Sequence, residues 1–471
     1  MCESTSKEVF IVMVEKNAAF QEELVWEEVP DIVEPVLKID ERPKTIWETV
    51  LYGWQHTLVD ITPLVFPLIV AAALQMSPDQ AISLVNATLV AMGIATLIQT
   101  TLGNRLPIIQ GPSITVGGTV MSVGSIFGVP AMWGAVFVGG IVETIIGISG
   151  VLGTLKKVFP IAVAGIVVTC IGLNLGMTAV GWMVGDGNPM NFVLGGVVIA
   201  LIILLQLKTR KIAGGTFARG AIFFSIWIVG IGLAGALGLV NWELIHSRPW
   251  FAFPKLFPYG GPGFGWSFAI GAIFGILAGY LGSMVESIGD YAATCAVSGE
   301  TFKVRHMNRG ITAEGVGCIL ASFLGGLPVT SYTQNIGVIA NTRIASRFVV
   351  QVGALFLILY GLSPKFGALL AVIPRPVMGG VFILVCGSII MSGMKLINSA
   401  PKTEGNGILV GLTLLLAVGL PVYARASLGE WMKTVTPFVR MLFTNTVVIA
   451  VIAGIVLNIL INHIVAKEEK S

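Results

Sequence analysis

The chain has 471 residues, of which 55% are hydrophobic and only 11% are charged, and its formal net charge is +3. Soluble domains carry roughly 25% charged residues, so this balance excludes a soluble globular fold and makes the bilayer the solvent. Five cysteines without metal-ligand spacing and four scattered histidines suggest no metal centre. Cys170, Cys295, Cys318 and Cys386 lie in or beside apolar runs and read as small buried apolar residues.

Residues 1–46 read as a cytoplasmic surface segment. Met1 to Arg42 is acidic and mixed, without the charged start and apolar core of a signal peptide, so the first span is its own insertion signal. Apolar runs of about 20 residues then recur. They predict about fourteen spans, the first seven near 50–74, 79–101, 107–127, 131–155, 158–180, 190–207 and 218–240. The second seven lie near 264–298, 310–326, 330–343, 346–362, 366–394, 406–421 and 440–464. The third and tenth are the shortest and most broken, a mark of the binding helices of repeat transporters. The aromatic stretch from Asn241 to Gly261 (Trp242, Trp250, Phe251, Phe253, Phe257, Tyr259) reads as an interfacial element on the outer face. The short tail after Ile464 leaves no room for a soluble C-terminal domain.

With the N-terminus in the cytoplasm, every second loop should be basic. Those loops hold Arg105; Lys156 and Lys157; Lys208, Arg210 and Lys211; Lys303, Arg305 and Arg309; Arg343 and Arg347; Lys395 and Lys402. The tail adds Lys467 and Lys470. The opposite loops are poorer, with Arg248, Lys255, Lys365, Arg425 and Lys433 as exceptions. The pattern fits an even span count with both ends cytoplasmic. A weak repeat is visible: Leu106-Pro107 matches Leu327-Pro328, and Val158-Phe159-Pro160 matches Val372-Ile373-Pro374. Each pair is seven spans apart. An odd separation inverts topology, so the expected fold is all-α, about fourteen spans in two inverted seven-span repeats.

Ionisable groups inside spans cost about 2.5–3.5 kcal/mol each on insertion scales, so the few present require a reason. They are His56, Asp60, Glu143, Glu286, Asp290 and Glu314. Glu286 and Asp290 are four apart and share a helix face. Like charges there are unfavourable unless one is protonated or partnered, so this pair is suited to binding and releasing a proton. For Asp60 and Glu143 a structural tie is the expected role. His56, flanked by Gln55 and Thr57, is expected to shape the site.

Ser113 and Thr115 alternate with Ile114 and Val116, a strand pattern, and Val329 to Gln334 is polar and β-branched. Polar non-helical backbone at membrane depth must be satisfied by protein or a water-filled cavity. Two short strands, one in the third span and one in the tenth, would satisfy each other. Helices would then start near Gly117 and Gly337, their N-termini aimed into a cavity. The Gln334 amide offers a donor and an acceptor, as does the N–H/C=O edge of an oxopurine or oxopyrimidine, and the Glu286 carboxylate accepts two N–H bonds.

Gln334, Asn335, Gly337, Thr342 and Arg343 occupy every fixed position of the signature Gln/Glu/Pro-Asn-x-Gly-x4-Thr-Arg/Lys/Gly. With Val285-Glu286-Ser287-Ile288-Gly289-Asp290 and Gln55-His56, they make the chain resemble the nucleobase–ascorbate transporter family, or xanthine/uracil permeases. The resemblance implies a core domain of spans 1–4 and 8–11 (residues 47–157 and 263–364) and a gate domain of spans 5–7 and 12–14 (158–262 and 365–471). It implies a homodimer in the cell membrane that moves core against gate, with a nucleobase and protons as partners and no cofactor, nucleic acid or enzymatic activity. It puts Glu286 and Gln334 on the substrate with Ser113, Ile114, Thr115 and Gly337, and gives His56, Gln55, Asn335, Asp290 and Glu314 site-shaping or proton-coupling roles. Glu314 departs from the aspartate usual in purine carriers. Gln in the signature points to xanthine or uric acid, with uracil second. A sulfate-permease-like anion exchanger of related fold is a more distant alternative.

Overall fold

The polar interruption after Pro107 and the one after Pro328 meet in the fold. In the computed structural model, residues 34–60, 65–152, 160–185, 187–209, 220–258 and 265–461 are described, the side chains of Val59 and Asp60 excepted. The expectations for the Asp60 side chain, for Lys156, Lys157 and Val158-Phe159, for Arg210 and Lys211, for Tyr259, and for Lys467 and Lys470 fall outside them.

In chain order come α1 (Ile46–Asp60), α2 (Val65–Ala73), α3 (Pro78–Thr101), β1 (Gln110–Pro112), α4 (Ile114–Phe127), α5 (Val129–Ser149), α6 (Ile161–Val184) and α7 (Pro189–Lys208). Then α8 (Ala221–Ala236), α9 (Trp242–His246), α10 (Ile270–Val297), α11 (Val304–Leu324), β2 (Val329–Ser331), α12 (Thr333–Thr342) and α13 (Arg347–Gly361) follow. The chain closes with α14 (Pro364–Ala371), α15 (Arg375–Ser399), α16 (Glu404–Ser427), α17 (Gly429–Thr434), α18 (Pro437–Thr444) and α19 (Thr446–Ile461). Among the described residues seven helices are long and apolar enough to cross a membrane, or up to nine if each of two bent pairs counts as one span. The bent pairs are α13 with α14, at 79°, and α18 with α19, at 77°. The apolar run read at 366–394 is divided at Pro374, where α14 ends and α15 begins: proline cannot continue the first helix but suits the start of the second.

β1 and β2 pair antiparallel, Gln110 opposite Ser331 and Pro112 opposite Val329. The ladder continues beyond them, from Tyr332 N–H to the Ile109 carbonyl (3.1 Å) and from Ser113 N–H to the Pro328 carbonyl (2.7 Å). Each strand leads directly into a helix, so α4 and α12 leave the crossing in opposite directions with their N-termini at the strand pair. The strand at 113–116 and the helix starts near Gly117 and Gly337 are corrected here. β1 ends at Pro112, α4 begins at Ile114 and α12 at Thr333. The cause is Ser113, whose hydroxyl accepts from Val116 N–H at 3.1 Å and caps α4; the alternation read as a strand is its first helical turn.

Helices meet through small residues. α5 lies on α11 and α6 on α15. A Cβ on Gly140 would sit 2.9 Å from the Gly315 carbonyl, and one on Gly315 2.7 Å from the Gly140 carbonyl. Gly165 and Gly393 form the same reciprocal contact, at 2.8 and 2.7 Å. Lipid is as apolar as leucine, so such close backbone packing, not hydrophobic exclusion, drives association here. α3 packs on α13 and α11, α1 on α13, and α10 on α4 and α5.

Upstream of α1 the chain lies as a strap along the end of α12. Val36 N–H donates to the Arg343 carbonyl at 2.8 Å, Ala345 N–H to Leu37 at 2.8 Å and Arg347 N–H to Ile39 at 3.0 Å. Arg347 Nε also binds Asp40 at 2.6 Å. In the aromatic loop Trp250, Phe251 and Phe253 are exposed, with Lys365 Nζ 5.1 Å above the Trp250 ring. Phe257 packs edge-on against Trp266 and Phe323.

Candidate functional site

Two polar stripes run along α10. Glu286 and Asp290 form one, and Ser283, Ser287 and Tyr291 form the other at the same four-residue spacing. The second stripe faces the strand crossing. Ser283 donates to the Thr330 hydroxyl (3.0 Å), Ser287 shares a bond with it (2.8 Å), and Ser113 bonds Ser283 (3.1 Å). Behind them Glu314 is wholly buried, and its carboxylate accepts from Tyr291 OH (2.6 Å), Ser287 Oγ (2.7 Å), Ser331 N–H (2.9 Å) and Ser331 Oγ (2.5 Å). Gln110 Nε2 reaches Ser331 Oγ at 2.8 Å and Gln99 Nε2 reaches Tyr291 OH at 3.0 Å. A buried carboxylate that receives four donors ties its elements together, here α10, α11 and β2. Glu143, also buried, lies beside Cys318, whose thiol donates to the Val329 carbonyl at 3.2 Å.

The first stripe faces the two helix starts. Thr115, in the first turn of α4, donates to Glu286 Oε2 at 2.6 Å. Thr333, the first residue of α12, donates to Asp290 Oδ1 at 2.8 Å. Glu286 and Gln334 are both partly exposed, and the Gln334 side chain has no hydrogen-bond partner among the described residues. A Cβ on Gly337, or on Gly289 beside Asp290, would meet no atom within 4 Å. Around the carboxylate and the amide, then, the surface is open and both helix N-termini contribute positive partial charge.

A third contact locks α12 from behind. His56 Nδ1 lies 2.5 Å from Asn335 Oδ1, and Asn335 Nδ2 donates to the Pro107 carbonyl at 2.9 Å, all three groups buried. Of the other residues singled out, Ser113 is engaged as the α4 cap, and Ile114 and Gln55 are half-buried beside it and His56. Thr342 and Arg343 lie at the far end of α12: Thr342 Oγ1 bonds the Val338 carbonyl at 2.8 Å, and Arg343 closes the helix in the left-handed region at φ 56°. Sequence reading gives no role of their own to Ser283, Ser287, Tyr291, Gln99 and Gln110, and takes in Thr330 and Ser331 only as part of the polar stretch from Val329 to Gln334. The four-residue polar spacing on α10 was the available signal for the first three.

The sequence profile of the Permease family of xanthine/uracil permeases matches residues 47–426. The chain is similar to the uric acid permease PucK of Bacillus subtilis, 30% identical over 384 residues, with 79% of this chain and 87% of the relative covered. It is similar to the xanthine permease XanQ of Escherichia coli, 29% identical over 453 residues, with 90% and 93% covered. Among solved structures it resembles the murine Solute Carrier 26 family member A9 anion transporter in its inward-facing state, with a TM-score of 0.60 and 11% identity over 90% of this chain and 69% of that one. The transmembrane domain of the cyanobacterial bicarbonate transporter BicA gives a TM-score of 0.53 and 13% identity over 91% and 99%. At such identities the likeness is one of fold alone.

Proposed function

The chain belongs to the xanthine/uracil permease family, and on that premise we propose a secondary active transporter that carries xanthine- or uric acid-type purines with protons. It is a multi-pass membrane protein with a small-molecule cargo. The feature that carries the purine reading is Glu286, held by Thr115 at 2.6 Å beside the start of α4, together with the Gln334 amide at the start of α12, which has no hydrogen-bond partner among the described residues. A carboxylate accepts from two N–H groups and an amide both donates and accepts, which matches the two edges of a flat heteroaromatic amide. In this reading Ser113, Ile114, Thr115 and Gly337 line the substrate, and Asp290, Glu314, Asn335 and His56 hold the site in shape or carry the proton.

The reading takes the fold as two inverted seven-span repeats. Its support is that seams have counterparts: α5 on α11 answers α3 on α13, and α10 on α5 answers α1 on α13. The core is α1–α5 with α10–α13, and the gate α6–α8 with α14–α19. α4 and α10, which carry Thr115 and Glu286, also touch α6, α18 and α19. A site on that boundary suits an elevator movement of core against gate. In this reading the strap end faces the cytoplasm, supported by the basic residues Arg105, Arg305, Arg309, Arg343 and Arg347 gathered there. Outward faces of α7 and α16, with Phe192, Leu204 and Leu415 exposed, are surfaces for lipid or a second subunit.

The test is radiolabelled uptake of xanthine, uric acid and uracil into liposomes under an imposed inward pH gradient, with and without an uncoupler. Purine accumulation driven by the pH gradient supports the reading. Uracil as the preferred cargo, or accumulation driven by sodium alone, overturns it.

A further inference from the structure

Away from the substrate site, at the strap end of the bundle, lies a cavity of about 180 Å³ lined by Asn104, Arg105, Arg305, His306 and Arg309 and by the carboxylates of Asp40 and Glu300. We propose that it binds a phosphate group, either of a soluble phosphate ester or of an anionic lipid headgroup.

Asn104 is 5% exposed, and its Oδ1 accepts from Leu106 N–H at 3.0 Å. That bond fixes the amide, so Nδ2 is the free end, and it is buried with no hydrogen-bond partner among the described residues. A buried donor left unmet is unfavourable, so an acceptor in the cavity would relieve it. His306 is buried too, and its Nδ1 accepts from Lys303 N–H at 3.3 Å and lies 3.4 Å from Cys295 Sγ. This leaves the imidazole hydrogen on Nε2, a second fixed donor.

Three guanidinium groups complete the set. Arg305 and Arg309 are one turn apart at the start of α11 and form no ion pair among the described residues. Arg105 is held with φ 63° by its N–H on the Gln99 carbonyl at 3.0 Å, and it approaches Asp40 only at 3.7 Å. The two carboxylates are already engaged: Asp40 by Arg347 at 2.6 Å and Glu300 by Lys303 at 3.0 Å. The N-terminal end of α11 adds positive partial charge. Amide, imidazole and guanidinium groups lining one small space favour a tetrahedral oxyanion over a monatomic one. The cavity takes the phosphate group alone, so the rest of the ligand must project outward.

The full-length protein in detergent is titrated with inorganic phosphate against chloride at matched ionic strength, with thermal unfolding as readout. Wild type should be stabilised saturably. R305Q/R309Q, altering two exposed side chains, should lower the apparent affinity about tenfold or more while keeping uptake, which certifies its fold. Asn104→Asp keeps the acceptor for Leu106 but replaces the free donor, and should abolish the response. Discs of phosphatidylglycerol and of phosphatidylcholine separate the sources. A phosphate response in phosphatidylcholine discs assigns the site to a soluble ester. Stabilisation by phosphatidylglycerol alone, lost in R305Q/R309Q, assigns it to a headgroup. The proposal is overturned if neither anion stabilises wild type beyond chloride, or if both variants respond as wild type does.

Discussion

His56 and Asn335 stand 279 positions apart and meet at 2.5 Å, joining the first helix to the signature helix behind the candidate site. Because Asn335 also holds the Pro107 carbonyl, three separate stretches of chain depend on one amide. Removing His56 leaves Asn335 Oδ1 buried without its partner, and removing Asn335 leaves His56 Nδ1 and the Pro107 carbonyl without theirs, at about 1–3 kcal/mol for each buried group. His56→Leu and Asn335→Leu should therefore each lower the thermal unfolding temperature, and the double variant should fall well short of the sum. Additive losses would show that the pair is not coupled.

Glu286→Gln keeps the size and the Thr115 contact but removes the charge and the proton. The variant should reach the membrane and unfold at the wild-type temperature, with uptake reduced on the order of 100-fold. Near-normal proton-driven uptake would remove Glu286 from the mechanism.

Gln334→Glu exchanges a donor-acceptor amide for an acceptor. The expected outcome is a reordering among xanthine, uric acid and uracil, with discrimination changing by about tenfold or more, because unpaired polar groups in a site reject the wrong partner strongly. Competition profiles parallel to wild type would count against a selectivity role.

Glu314→Leu leaves four donors from Tyr291, Ser287 and Ser331 facing an apolar side chain. Losing one partner of a buried charged network costs about 3–5 kcal/mol, so this variant should be recovered poorly and unfold early. Glu314→Gln keeps acceptor capacity and should be much milder. Equal stability of the two would mean that the network does not hold β2.

Gly315 and Gly337 should behave oppositely. A Cβ on Gly315 meets Thr144 N at 2.5 Å and the Gly140 carbonyl at 2.7 Å, whereas one on Gly337 meets nothing. Gly315→Val should aggregate on size-exclusion chromatography. Gly337→Ala should elute and unfold like wild type yet lose substrate affinity. A Gly337→Ala variant with unchanged affinity would place the substrate elsewhere.

Much of the site was legible because membrane depth makes polarity expensive. Glu286, Asp290, Gln334 and His56 could be picked out against an apolar background, and two broken spans had to satisfy each other's backbone. The helix starts were misread because Ser113 and Thr115 alternate as in a strand, and alternation alone does not reveal that a serine hydroxyl is capping a turn. The Glu314 network was not legible for another reason. Ser331 is 17 positions from Glu314 and Gln99 is 192 from Tyr291, distances over which no periodicity speaks. Only the folded chain shows that Ser283, Ser287 and Tyr291 face inward while Glu286, on the same helix, faces the opening.

The strap across the end of α12 has a practical side. Val36 and Leu37 both donate to the carbonyl of Arg343, the residue that closes the signature helix. Shortened versions of the chain that keep Val36 onward would retain this clasp, whereas cutting to the start of the first helix would free the end of α12 in the resting protein. Activity kept in the first version and lost in the second would then report a loosened fastening.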